Sequence, residues 1–335
     1  MADILDLFPH QDVLDYTKTV KASNLLGAAL FPARKVQSND IKVLTSGTNV
    51  PVIAHVHAFD TEAEIGDRTA QVSETEPFFI KKKMILKEDD LVKLRNPRTT
   101  EEQNYIMNTV YDDLGNIVRS IDAATELMRM QALMNGVITV NDQNGGSYKI
   151  DYGIDKSQKG TTDFADDSKD PIEQILEWAQ SVSVTPTRAI MSQKALYALR
   201  KNKNVVANIF GSDNGRTVMQ SDLDEFMQAN GLPILRSYNG KYADVDSKGK
   251  QTVKNYVADN QFAMFAEGTV GETVYGVTPE EARAVNDGID SSQIGNMFAD
   301  RYEESHDPVR SVIKVSTMVV PTLAQAGNIF QATVL

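Results

Sequence analysis

The apolar positions along this chain change period several times, and each change marks a structural element. The longest regular stretch lies between Thr99 and Gly136, where Met107, Val110, Leu114, Ile117, Ile121, Ala124 and Met128 recur three and four apart. That spacing gathers side chains on one face of a helix. Thr99 and Thr100 each stand three residues before an acid or amide, Glu102 and Gln103, which is a capping-box start. Asn135-Gly136 supplies the stop, because glycine enters the left-handed conformation without a Cβ penalty. No proline interrupts the run. The pattern predicts one helix over 100–135, about 50 Å long at the helical rise per residue.

Upstream, residues 1–49 read as an arm. A short helical pattern over 13–26 gives way to LGAALFPARKVQSND, with small residues, one proline and no sustained period. Such a segment packs on something else instead of building its own core. Over 50–86 the period falls to two: VPVIAHVHAF alternates, DTEAEIGDRTA is charged, and QVSETEPFFIKKKMIL is extended again. Two strands around a charged tip predict a long hairpin. A solitary hairpin is marginal in water, so this one is expected to lie on another surface. Beyond Gly136, residues 137–140 and 148–152 are strand-like around Asn144-Gly145, a hairpin turn pair.

The polar stretch DKSQKGTTDFADDSKD (155–170) predicts a mobile loop. Asp170-Pro171 then opens a mixed unit over 170–285, an N-cap followed by a first-turn proline. Helices are predicted at PIEQILEWAQSV, QKALYALRKN and SDLDEFMQANG, the last with Ser221 as N-cap and Asn230-Gly231 as stop. Strands are predicted at TRAIMS, LPILRSYNGKYAD, TVKNYVAD and QFAMFAEG, with Asn239-Gly240 as a turn. Residues 286–335 are β-rich again. DPVRSVIKVSTMVVPTL and GNIFQATVL read as two strands with the break at Pro321. The fold class is α+β.

Composition sharpens the picture in two places. A compact chain of 335 residues would have a radius of gyration of ~20 Å. The long helix would cross the whole of it, so a flattened or elongated body is expected. The net charge is -12, from 34 basic and 46 acidic residues, the wrong sign for gripping DNA or an anionic membrane. There is no cysteine, hence no disulfide or thiolate chemistry. The start, MADILDLFPHQD, lacks the basic and apolar regions of a signal peptide, and no apolar run reaches bilayer length. A protein made in the cytoplasm is expected.

Candidate chemistry is sparse. His55 and His57 share one face of a predicted strand near Asp60 and Glu62, the germ of a metal site for a hydrolase or lyase. A metal needs a fuller shell, so surface histidines are the expectation. DVDSKGK (244–250) resembles the start of a calcium loop, but Lys248 and Asn255 replace ligands, and a turn is expected. The acidic pairs Asp89-Asp90, Asp112-Asp113 and Asp166-Asp167 read as solvated charge. No phosphate-binding, dinucleotide, nucleophile-elbow or zincin motif is present. No catalytic residue, cofactor or metal site is predicted.

Three stretches in order carry a family resemblance: PVIAHVHAFDTEAEIGDRTAQVSETEPFFIKKKMIL, MQALMNGVITVNDQNGGSYKIDYG and DPVRSVIKVSTMVVPTLAQAGNIFQATVL. They resemble the extended loop, the helix end with its hairpin, and the C-terminal strands of tailed-phage major capsid proteins of the lambda-type capsid protein E family. The resemblance implies the Hong Kong 97-type capsid fold. Residues 1–49 would be the N-terminal arm, 50–86 the E-loop reaching a neighbour, and 87–169 a peripheral domain with spine helix 100–135 and hairpin 137–152. Residues 170–285 would be the axial domain, and 286–335 the β-rich return to the peripheral domain.

The implied function is a shell subunit that builds hexamers and pentamers around the phage DNA, without catalysis. Scaffolding, portal and decoration proteins are candidate partners. The place of action would be the virion capsid, assembled in the cytoplasm of the host bacterium. No lysine–asparagine crosslink motif is evident, so none is expected. Asp60, Glu62, Glu64, Asp67 and Arg68 at the loop tip are the candidate intersubunit contacts, since rim charges set register and partner choice. An encapsulin-like compartment or another oligomeric phage structural protein is the alternative.

Overall fold

The structure, a computed structural model, describes residues 8–20, 25–38, 41–45, 71–86, 88–141, 146–212, 215–245, 249–286, 288–291, 294–304, 310–324 and 326–335. Its axis is helix α4 (Thr100–Asn135), which follows α1 (His10–Thr19), α2 (Leu26–Leu30) and α3 (Glu88–Arg95). Both predicted caps of α4 form. The Thr99 hydroxyl accepts from the Glu102 amide at 3.1 Å, and Glu102 reaches back to the Arg98 amide at 2.9 Å. Gly136 is left-handed, with φ 66°, and its amide bonds to the Ala132 carbonyl. The predicted stripe is buried at Val110, Leu114, Ile117, Ile121 and Met128. The first turns, before Val110, are more exposed, with Ile106 and Met107 still packed against the core.

One face of α4 lies on a five-stranded sheet built around β15 (Arg310–Leu323). Along one side β15 pairs with β4 (Phe78–Leu86), from Ser311↔Leu86 to Val319↔Phe78. Its other side is shared end to end by β14 (Phe298–Glu304) and β13 (Gly271–Gly276), and β1 (Ala33–Lys35) joins β13 in parallel. Ile313, Val315 and Ala299 meet Val110, Leu114, Ile117 and Ile121 in one core cluster. Met130, Leu133, Val274, Val319 and Val320 fill the next. The predicted hairpin after the helix is β5 (Val137–Asn141) with β6 (Ser147–Asp151), in register from Val137↔Asp151.

Proline behaves differently at two positions from what pattern alone suggests. Pro321 does not break a strand, because β15 runs through it to Leu323. By that point the β4 ladder has ended at Val319, so the missing N–H falls where only β13 flanks the strand. The Pro321 carbonyl accepts from the buried Tyr152 hydroxyl. At Glu76-Pro77 the reverse holds. What reads as one extended stretch divides into β3 (Gln71–Thr75) and β4. β3 pairs with β2 (Ile41–Thr45) in a separate ribbon, so the antiparallel ladder opens before residue 50.

The second unit carries a sheet ordered β7 (Lys159–Thr161), β16 (Ile329–Thr333), β12 (Gln261–Phe265), β8 (Arg188–Met191) and β9 (Ile234–Ser237). Helices α5 (Pro171–Ser181), α6 (Gln193–Lys201), α7 (Lys203–Phe210) and α8 (Gln220–Ala229) pack on it. Trp178 stacks on Phe330 with centroids 5.1 Å apart, and Phe262 and Phe164 complete an aromatic core. Gly160 is needed there, since a Cβ would lie 2.8 Å from the Trp178 ring. A two-stranded ribbon, β10 (Lys241–Val245) with β11 (Gln251–Asn255), extends the unit, and α9 (Pro279–Asn286) precedes β14. The last fifty residues thus divide between the two sheets, because β16 leaves the first and lies between β7 and β12.

The polar stretch 155–170 is not a free loop. It holds a 3-10 turn, strand β7 and the fully buried Phe164. The Asn202 side-chain amide donates to the carbonyls of Phe164, Asp166 and Lys169 and ties it down. Asp170 caps α5 as expected. Helix α8, by contrast, begins at Gln220 with Met219 at the cap position, and Ser221 does not cap it.

Candidate functional site

The tip residues Asp60, Glu62, Glu64, Asp67 and Arg68 lie outside the described residues, as do His55 and His57. Of the other candidate acids, Asp112 and Asp113 are exposed on α4, and several more are paired with neighbours. Asp244 pairs with Lys254 at 2.6 Å, and that hydrogen bond holds its carboxyl below the usual range. Asp89 pairs with Lys93 at 2.5 Å. Asp166 accepts from Ser168, and Asp167 binds the amide and ammonium of Lys203. Among the described residues, no three His, Asp or Glu side chains converge as metal ligands, and no helix is long and apolar enough to cross a membrane.

The geometry instead concentrates on joints and edges. The main joint is a buried polar cluster that sequence reading missed. Glu126 on α4 is 0 % exposed. Its carboxylate accepts from the Gly27 amide at 2.8 Å, from the Tyr238 hydroxyl at 2.9 Å, and from Arg129 at 3.4 Å. Arg129 also donates to Thr273 at 2.9 Å, and Thr273 donates to the Phe31 carbonyl at 2.9 Å. Glu126 therefore fastens the N-terminal segment and the β9–β10 connection to the long helix, and Arg129 adds β13. Gly27 has to be glycine here, since a Cβ would lie 2.4 Å from the Glu126 oxygen. The sequence carries a signal: ELMRMQALM is apolar nearly all round, so a charge within it must be buried and paired.

Beside this joint a cleft of about 350 Å³ opens between α4 and the second unit, lined by Leu25, Arg119, Asp122, Tyr238, Lys241 and Tyr256. Burial raises the Asp122 carboxyl to about 6; Arg129 offsets part of this and Glu126 adds to it. Burial, with Glu126 nearby, also pushes the Tyr256 hydroxyl up to about 12. Because the folded-state value of Asp122 lies above its ordinary one, the folded chain binds this proton more tightly than the unfolded chain. Stability then falls as pH rises from about 4 through about 6 and is level above. Asp122→Asn is expected to stabilise the subunit at pH 7 by roughly 1–2 kcal/mol after discounting for solvent screening. The gain should vanish near pH 4, as read by denaturant melts of both proteins across that range. A gain that does not change with pH would show that this carboxylate is not the titrating group.

A long helix braces a sheet, an inserted unit hangs from one end of it, and strand edges and ribbons face outward. The fold is α+β and of the Hong Kong 97 capsid type, a structural shell fold. The crystal structure assigned as the capsid protein of an E. coli CFT073 prophage superposes with TM-score 0.62 at 17% identity, covering 100% of this chain and 99% of that one. A phage-related protein of Bordetella bronchiseptica RB50 gives TM-score 0.55 at 13% identity, over 96% and 95% of the two chains. No curated protein sequence matches the chain. The family model for phage major capsid protein E matches residues 12–334, and the chain belongs to that family. It is a capsid subunit that self-associates in the virion shell.

Proposed function

We propose that the chain assembles into hexamers and pentamers that close into the icosahedral head shell around the phage DNA, without catalysing a reaction. The observation that carries this reading is family membership over residues 12–334. In this reading α4 is the spine of a peripheral domain, and residues 170–285 form an axial domain facing the centre of each capsomer. Residues 50–86 reach a neighbouring subunit through Asp60, Glu62, Glu64, Asp67 and Arg68, and 1–49 act as an arm. Modest edge contacts become cumulative when each tile meets several neighbours. The net charge of -12 keeps the wall from adhering to the genome it encloses. Scaffolding, portal and decoration proteins complete the head, and assembly takes place in the host bacterial cytoplasm.

Negative-stain electron microscopy of size-exclusion fractions tests this. Closed shells, or rings of six and five subunits, are the expected result, from the chain alone or expressed with the other head proteins of its phage. A chain that stays monomeric under both conditions would sink the proposal.

A further inference from the structure

The cleft beside Glu126 has an inner wall and a mouth of different character. The inner wall carries Asp122 of α4, which is half-buried, and Tyr256, which is 7% exposed. The mouth carries Arg119 and Lys241, both exposed. Neither base pairs with the acid. Arg119 turns back along the helix and donates to the Asn116 side chain at 2.8 Å. The charges that act on Asp122 are Arg129, which favours its ionised form, and Glu126, which opposes it. Among the described residues no hydrogen bond or ion pair reaches the Asp122 carboxylate. The Tyr238 hydroxyl is taken by Glu126, while the Tyr256 hydroxyl has no hydrogen-bonded partner among the described residues. The Tyr256 ring is held by packing on Tyr238 and Tyr242, with centroids 6.0 and 5.2 Å away. An acid kept half-buried without a partner weakens the fold at neutral pH. A residue that breaks a local rule in this way, inside a cleft, marks a place for a ligand.

We propose that this cleft binds the singly charged head of an organic cation, an ammonium or a guanidinium, between Asp122 and Tyr256. The carboxylate supplies the counter-charge, the free Tyr256 hydroxyl an acceptor, and the tyrosine rings a surface that attracts such heads, guanidinium above all. A volume of about 350 Å³ suits a small group. A metal ion fits poorly, because hard cations take several oxygens and no three His, Asp or Glu side chains converge among the described residues. Arg119 and Lys241 repel a second positive charge at the mouth and favour a carboxylate there. The preferred ligand therefore carries its cation at the tip and an anionic group behind it. A free amine and a basic side chain of a polypeptide share this head. The pocket lies within one chain, so the inference stands apart from how subunits assemble.

The test is titration of the full chain at pH 7 with three probes, read by ligand-observed NMR. Butylguanidinium is expected to bind with a Kd on the order of 1 mM, and N-acetylarginine, with its carboxylate, roughly threefold more tightly. Asp122→Asn should weaken both by about tenfold or more. Lys241→Gln should tighten butylguanidinium and weaken N-acetylarginine, a crossing that loose association with the surface does not produce. The charged or titratable groups around Asp122 are Arg119, Glu126 and Arg129 on α4, Tyr238 and Lys241 at the β9–β10 connection, Tyr256 beyond β11, and Tyr275 on β13. Burial raises the three tyrosine hydroxyls, so the carboxylates set the pH response. Affinity should fall as pH drops through about 6, and Asp122→Asn should remove that fall. N-acetylarginine methylamide presents the side chain as a polypeptide does. Binding as tight as that of butylguanidinium assigns the site to a basic side chain, and exclusion of this probe alone assigns it to a free amine. No saturation by any probe at ~50 mM, far above that Kd, or equal affinity in Asp122→Asn would overturn the inference and leave the cleft to water.

Discussion

Glu126→Ala is expected to lower the stability of the folded subunit by about 3–5 kcal/mol. Glu126 is fully buried and takes three hydrogen bonds, from Gly27, Tyr238 and Arg129. Alanine removes all three acceptor positions at once. Arg129 would keep its bond to Thr273 but would lose its bonded carboxylate, leaving only the neighbouring Asp122 to offset its charge, in a site where the residue is 6% exposed. Leaving one partner of a buried pair is costlier than never having had the pair, because the remaining charge and donors are stripped of water without compensation. The melting temperature should fall by on the order of 10 °C. Hydrogen exchange should also change first at Gly27, whose amide loses its acceptor, before the rest of the subunit opens. A loss below about 1 kcal/mol would mean that water replaces the carboxylate and that this joint does not hold the N-terminal segment.

Leu114→Asp should do more, at roughly 4 kcal/mol or above, and no soluble folded subunit is expected. Leu114 is 1% exposed, in the cluster that joins α4 to Val13, Leu14, Leu91, Ile313 and Val315. An aspartate there brings a carboxylate into an apolar layer with no cation to meet it. Leu114→Met, close in volume, should cost less than about 1.5 kcal/mol and serves as the control. Glu64→Lys should behave oppositely: a folded subunit with impaired assembly. Soluble expression and thermal melts separate the two cases. A soluble Leu114→Asp chain that melts with the wild type would show that α4 does not brace the sheet through this stripe.

Much of the scaffold was legible because its signals are local. The caps of α4 and the Asp170-Pro171 start each depend on a few neighbouring residues, and the β5–β6 pairing joins stretches close in sequence, while Asn144-Gly145 itself lies outside the described residues. The burial of Val110, Leu114, Ile117 and Ile121 follows from the helical period. The family resemblance pointed to the capsid protein E family, and the family match over 12–334 agrees with it.

What the sequence by itself determined is therefore where the long helix begins and ends, where α5 starts, which stripe of the long helix is apolar, and that the chain carries no familiar catalytic motif. Tertiary structure alone decided the rest, because those outcomes depend on partners distant in sequence. Pro321 stays inside β15 only because β4 has already ended alongside it. The 155–170 stretch is fixed by the amide of Asn202, more than thirty residues on. β16 belongs to the second sheet because β7 and β12 leave a place between them. Glu126 joins three segments whose separation along the chain exceeds any local window. Backbone propensity and side-chain period act over a few residues, whereas strand partners and buried ion pairs are chosen by what the folded chain brings within a few ångströms.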